Sequence, residues 1–419
     1  MGLDERFLLT PKLLYFAVGS VYYAFYIFRI DFCADYYGFG TDKAGDIATV
    51  MTLSGFAMTA LWSGLADRLG RHRLVLALLG IAASGSFELL LVKFESATWN
   101  YWYAIGVCAV FGGILGGLLP LADYQTLQLL TRKFNADRSF YGRQRMMGTV
   151  SYGLTTLLIG YLSDWLGATV IFYLFPIFSA IFVVSLLLFG YPDAGRPKEE
   201  TVPSTKAEGD SVQATAAPIS VFFRDRHFLF FLLVVFVTGC GRQVLQIYLP
   251  PFLKGTLKMN NSQAGYAVVS STIFSIIFLF FGSTLLARLG ASLMLFLGMV
   301  TMGIRLGCYI FVPHAPSSAW LVYCIELLNG VAFSFTHLAG VSIAADFAPA
   351  GRAATSQAIY TSFYMQLPAV LVAFAGGRIF KAYGGVKFFG WASVVILAFS
   401  AIVALKYTFF SGKKKGVSG

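Results

Sequence analysis

Twelve long apolar stretches, at about 12–36, 44–66, 73–93, 99–130, 144–166, 169–190, 228–254, 263–287, 292–312, 318–346, 354–381 and 385–408, take up most of this 419-residue chain. Each can cross a hydrocarbon core of about 30 Å, which needs around 20 residues as helix. In lipid an unpaired backbone amide or carbonyl costs several kcal/mol, so such spans have to fold as a helical bundle. Only 12% of the residues are charged, where a soluble domain carries about a quarter. The 43 glycines give helices room to approach one another closely.

The net charge of +11 would suggest nucleic acid if its placement were ignored. With the N-terminus inside, the 31 Lys and Arg divide as 20 cytoplasmic, 7 external and 4 within spans, namely Arg29, Arg145, Arg242 and Arg305. That asymmetry fits an even number of spans with both termini cytoplasmic, plasma membrane being the expected location, and leaves no role for nucleic acid. Lys413, Lys414 and Lys415 extend a basic tail suited to anionic lipid. Met1–Lys12 contains Asp4, Glu5 and Arg6 ahead of a span too long for a signal peptide's apolar core, so the first span is expected to stay. Residues 191–218, with Pro192, Pro197, Pro203, Pro218 and mixed charges, read as a cytoplasmic linker between halves at 1–190 and 219–419. The five cysteines share no metal or disulfide spacing, and the sequence calls for no cofactor or metal.

A short signature appears twice, 220 residues apart: Ser63-Gly64-Leu65-Ala66-Asp67-Arg68-Leu69-Gly70 and Ser283-Thr284-Leu285-Leu286-Ala287-Arg288-Leu289-Gly290. Ser, Leu, Arg, Leu and Gly recur at identical spacing, which points to a duplicated bundle. With Arg71-His72-Arg73, the first copy resembles the loop between the second and third helices of major facilitator superfamily transporters, G-x-L-A-D-R-x-G-R-R/K. The resemblance implies twelve helices in two six-helix halves, a monomer working by alternating access, with Asp67, Arg68, Gly70 and Arg71 as a cytoplasmic gate. Ala287 replaces the acid in the second copy, so any such lock belongs to one half. A solvated helix end is the plainer reading of Asp67.

Charges inside the spans each need a partner or a wet cavity, since a charge at the bilayer centre costs from about 2.5 kcal/mol upward. Asp123 and Arg145 flank the turn between the fourth and fifth spans at similar depth, and Arg305 and Glu326 do so around Pro313–Pro316. Each couple could be a structural ion pair or part of a site. Arg242, midway along the seventh span, competes for Glu326, and protonation of an acid beside a cation can switch such a contact.

Tyr141-Gly142-Arg143-Gln144-Arg145-Met146-Met147-Gly148 and Pro120-Leu121-Ala122-Asp123 resemble stretches of lactose permease and its relatives, the oligosaccharide:proton symporters. A wider group including nucleoside:proton permeases is similar. The resemblance implies that Asp123 and Arg145 bind sugar hydroxyls and that Tyr152 takes the place of a tryptophan stacking on the sugar. Arg305 falls where the family has a ninth-helix arginine. The tenth helix departs: in one register its three key positions are Glu326, Asn329 and Ala332, which makes the seventh-to-tenth pair look charge-swapped, Arg242 with Glu326. The family's proton-carrying pair is therefore missing from these positions.

Arg29, Asp31 and Asp35 stand near the outer end of the first span, where a vestibule role competes with simple surface exposure. Tyr22, Tyr23, Phe25 and Tyr26 read as bundle packing or a stacking surface. His337 reads as a hydrogen-bonded bundle histidine or a proton carrier. No nucleotide-binding loop or catalytic triad occurs, which argues against a pump or an enzyme. The expected function is transport of a small polar solute, a sugar or nucleoside, coupled to protons. An exporter of drugs or aromatic acids, or a non-transporting receptor on the same scaffold, is the alternative.

Overall fold

The computed structural model describes residues 4, 7–134, 141–189, 224–348 and 353–414, and among them every regular element is helical. The linker expected at 191–218 lies outside the described residues. Ten helices are long and apolar enough to cross a membrane, and a bent pair, Leu9–Ala24 with Arg29–Tyr37, makes an eleventh span. The 26-residue helix Tyr141–Leu166 supplies the twelfth, the fifth in chain order. The first span differs from the continuous helix expected: it turns by 42° across residues 25–28. Those residues are Phe, Tyr, Ile and Phe, without glycine or proline to mark a break.

Both copies of the repeated signature end their helix on a glycine with positive φ. Gly70 closes the helix Thr41–Leu69 at φ 62°, and Gly290 follows Gly282–Leu289 at φ 76°. An L side chain is strained in that region, which gives the shared glycine a backbone reason.

The chain divides into two compact units, Met1–Tyr26 with Val50–Thr155 and Thr169–Pro218, and Ile27–Thr49 with Thr156–Ala168 and Ile219–Gly419. In the first, the third span (His72–Glu88) packs on the fourth (Ala97–Gln128) and the sixth (Ile171–Leu188), and the first packs on the sixth and fourth. In the second, the ninth (Ala291–Cys308) packs in the same way on the tenth (Ala319–Asp346) and twelfth (Gly385–Lys414), and the seventh (Arg226–Gly255) on the twelfth and tenth. Pairing thus repeats with the signature. The first unit's core is an aromatic knot in which Phe87 stacks on Phe175 at 4.5 Å, with Phe25 and Phe111 against it. Phe252, Tyr309 and Phe389 play that part in the second.

Candidate functional site

In the first unit the residues of interest lie on the first, fourth and fifth spans. Pro120, inside the fourth, has no N–H to give the carbonyl of Gly116 one turn earlier, and Thr59 Oγ1 of the second span donates to that oxygen at 3.0 Å. One turn further on stands Asp123. Its Oδ1 accepts from Tyr15 Oη at 2.5 Å, a partner on the first span that the hairpin argument did not consider. First and fifth spans are joined by a hydroxyl ladder: Ser20 Oγ lies 2.9 Å from Ser151 Oγ and accepts from Thr155 Oγ1 at 3.2 Å, while Ser151 Oγ also donates to the Phe16 carbonyl. Beside the ladder, the half-buried Tyr152 meets Tyr23 edge-on at 4.7 Å, and Tyr22 and Tyr26 continue the aromatic group. The Arg145 side chain is exposed.

In the second unit Arg305 and Glu326 meet, as their distances from the ninth-to-tenth turn imply. Arg305 donates from Nε and Nη2 to Oε1 at 3.0 and 2.7 Å, and from Nη2 to Oε2 at 2.6 Å. Tyr309 Oη donates to the same carboxylate at 2.7 Å, and Arg305 Nη1 reaches Asn329 Oδ1 at 2.7 Å. All of Arg305, Glu326 and Tyr309 are buried. Glu326 is taken up by Arg305 and Tyr309, so the charge-swapped contact with Arg242 is not formed.

Arg242 instead lies among rings, 5.2 Å from the centroid of Phe333 and 5.8 Å from that of Tyr364. The eleventh span explains why Tyr364 is there. Pro368 cannot donate to the preceding turn, and Ser362–Gln366 widens into a π-helical turn that carries Tyr364. Gln243 Nε2, beside Arg242, donates to the Met365 carbonyl at 3.2 Å. A ring face contributes about 0.5–2 kcal/mol to a cation, which only partly offsets placing a charge mid-span. His337 stacks on Phe333 at 5.5 Å, and its Nδ1 lies 3.4 Å from Tyr360 Oη.

One end of each of six spans meets the others in this unit through acids of the first, second and fifth. Lys254 pairs with Asp35, Lys381 Nζ with Asp42 at 2.9 Å, and Arg378 Nη1 with Asp46 at 2.8 Å. Asp164 accepts from the backbone N–H of Asn261 and Ser262 at 2.8 and 2.7 Å, at the N-terminus of the eighth span. Second and eleventh spans touch backbone to backbone there: a Cβ on Gly45 would meet the Ala373 carbonyl at 2.5 Å, and one on Gly377 the Thr41 carbonyl at 2.5 Å. Close by, Asp31 is buried at 6% exposure and its Oδ2 accepts no hydrogen bond from a described residue. Arg29, two residues earlier, is buried as well.

Of the gate signature, Arg68 and Arg71 are exposed and Gly70 is buried, while the Asp67 side chain lies outside the described residues. The neighbouring Arg73 donates to the Leu187 carbonyl at 2.7 Å, and His72 is buried with its ring stacked 4.1 Å from Tyr124. Among the described residues no group of His, Cys, Asp and Glu is placed to hold a metal. Tyr15, Tyr309 and the ring pair around Arg242 were missed by sequence reasoning; only Asn329 stood at a position the tenth-helix register had marked.

The melibiose permease of Enterobacter cloacae subsp. cloacae is 20% identical over 411 residues, covering 93% of this chain and 92% of that protein. An uncharacterised transporter of Bacillus subtilis, YwbF, is 23% identical over 274 residues, covering 65% of this chain and 63% of its own. The crystal structure of the nucleoside transporter NupG superposes with a TM-score of 0.77 at 15% identity, over 97% of this chain and 98% of that one. A peptide transporter, POT, gives 0.71 at 14% over 97% and 95%. These relatives are transporters rather than enzymes, and the solved structures share the fold of this bundle. The MFS_1 like family model spans residues 13–391, and the chain, a multi-pass membrane protein of major facilitator fold, belongs to that family of transporters.

Proposed function

We propose that this transporter moves a small polar solute, a sugar or a nucleoside, by alternating access and couples it to protons. The observation that carries the reading is Asp123 of the fourth span, fixed by Tyr15 of the first, in a unit that also offers the Tyr152 ring and the exposed Arg145. An ionised carboxylate has lone pairs left for hydroxyls after one tyrosine, a guanidinium supplies forked donors, and a ring face suits a sugar or base. A melibiose permease and a nucleoside transporter among the similar proteins support the same solute class.

For coupling, two buried acids invite comparison. Glu326 is saturated by Arg305 and Tyr309, whereas Asp31 has an oxygen that accepts nothing. Asp31, with that open oxygen, is the acid that would take up the proton. The ion pairs of Asp35, Asp42 and Asp46 would then hold one facing state closed, and Asp67, Arg68, Gly70 and Arg71 would serve the cytoplasmic side. The protein is read as a plasma-membrane monomer with cytoplasmic termini and a linker joining halves 1–190 and 219–419. Uptake of radiolabelled sugars and nucleosides into proteoliposomes, with and without an imposed pH gradient, tests the function. Gradient-driven accumulation of one of them supports it; no uptake of any member under either condition sinks it.

A further inference from the structure

Halfway along a span of the second unit stands a positive charge with no counter-charge beside it among the described residues. No described carboxylate lies within ion-pair distance of Arg242, and Glu326, the acid of the neighbouring tenth span, is occupied by Arg305. Arg242 makes no hydrogen bond to a described residue, and its side chain is half-buried. That position leaves the guanidinium partly accessible rather than sealed in the helix packing. Packing does not account for a guanidinium at this depth with no described counter-charge: leucine or methionine would fill the place at no electrostatic cost.

The surroundings hold that group in place. Phe333 and Tyr364 lie against it, Phe333 is itself stacked on His337, and Tyr364 is aimed by the π-helical turn before Pro368. Gly239, one turn before Arg242, lets that turn come close, since a Cβ there would meet the Tyr364 carbonyl at 2.3 Å. Rings attract a cation without cancelling its charge, and they leave its donors free. What remains is a positioned, partly accessible, forked donor.

We propose that Arg242 is an oxyanion subsite, and that the transported solute is an anionic member of its class: a sugar acid or a nucleoside phosphate rather than the neutral sugar or nucleoside. The carboxylate or phosphate would accept two parallel hydrogen bonds from the guanidinium, a geometry lysine cannot supply. The inference rests on the transport reading above and adds the charge of the solute.

The test compares matched probes on the full chain in lipid nanodiscs: glucose against glucuronate, and uridine against uridine 5′-monophosphate, by equilibrium binding. In the unaltered protein the anionic member of one pair should bind at least about tenfold more tightly, as expected of a charge-assisted contact. Arg242→Gln should bring that ratio to about one while leaving the neutral member unchanged, and Arg242→Lys should fall between. Which pair responds separates carboxylate from phosphate. Equal affinity within both pairs, a ratio that survives Arg242→Gln, or an equal loss for both members overturns the subsite. Binding of an anionic probe alone, with neither neutral probe bound, keeps the subsite and removes the neutral-solute reading. If nothing binds, both readings fall. Should Arg242→Gln not fold, phenylglyoxal labelling of the unaltered protein decides: Arg242 must react, and the anionic probe, not its neutral partner, must protect it.

Discussion

Arg305 and Glu326 form a forked ion pair sealed inside the second unit, with Tyr309 closing the carboxylate from the other side. Removing one partner leaves a lone charge, so Glu326→Ala should cost about 3–5 kcal/mol of stability. Replacing both with apolar residues, Arg305→Met with Glu326→Leu, should restore most of it. Thermal unfolding of the purified variants checks both. A double variant no better than the single one would mean that the lone buried charge is not what destabilises the single variant.

Asp31 should be the residue that links solute to protons. Asp31→Asn mimics the protonated acid at nearly constant volume, so solute exchange should continue while accumulation driven by a pH gradient disappears. Counterflow and gradient-driven uptake on the same vesicles separate the two. Retained gradient-driven uptake rules Asp31 out.

At the other cluster the prediction is graded. Tyr15→Phe removes one donor from Asp123 and should weaken solute binding several-fold, while Asp123→Ala removes the acceptor and should weaken it by about tenfold or more. Tyr152→Phe keeps the ring and should be tolerated, whereas Tyr152→Ala should not. Arg145→Lys keeps the charge and loses the fork, so it should impair binding severely. Solute affinity indifferent to Asp123→Ala would move the site elsewhere.

The ion pairs of Asp35, Asp42 and Asp46 are partly exposed, and each such contact contributes at most about 1 kcal/mol. Single neutralisations, Asp42→Asn or Asp46→Asn, should therefore shift the balance of facing states only a few-fold, and both together should shift it more. High salt should do the same to the unaltered protein. Cysteine labelling at Thr41 reports the opening. No change in labelling for the double variant would reduce the pairs to surface decoration.

Much of the bundle was legible because lipid leaves few options: an apolar run of sufficient length has to be a helix. The spans at 73–93 and 99–130 therefore fall close to the observed His72–Glu88 and Ala97–Gln128. The depth of Arg305 and Glu326 followed from counting along one hairpin. The bend in the first span could not be read, since Phe25–Phe28 carries neither glycine nor proline. Nor could Tyr15 be matched to Asp123, because 108 residues separate them and nothing in spacing encodes which helices become neighbours. Arg242 was noticed as a charge out of place, but its ring partners depend on the widened turn before Pro368. The ion pairs of Asp35, Asp42 and Asp46 join helices distant in sequence and were invisible for the same reason as Tyr15.

At Gly45 and Gly377 there is no side chain between the second and eleventh spans. A single added methyl at either position is a wedge driven into this seam, and a tryptophan a larger one. Gly45→Ala and Gly377→Trp thus offer a conformational handle: chains propped open at one end, unable to complete the cycle, and suited to capturing the state of the carrier that faces the other way.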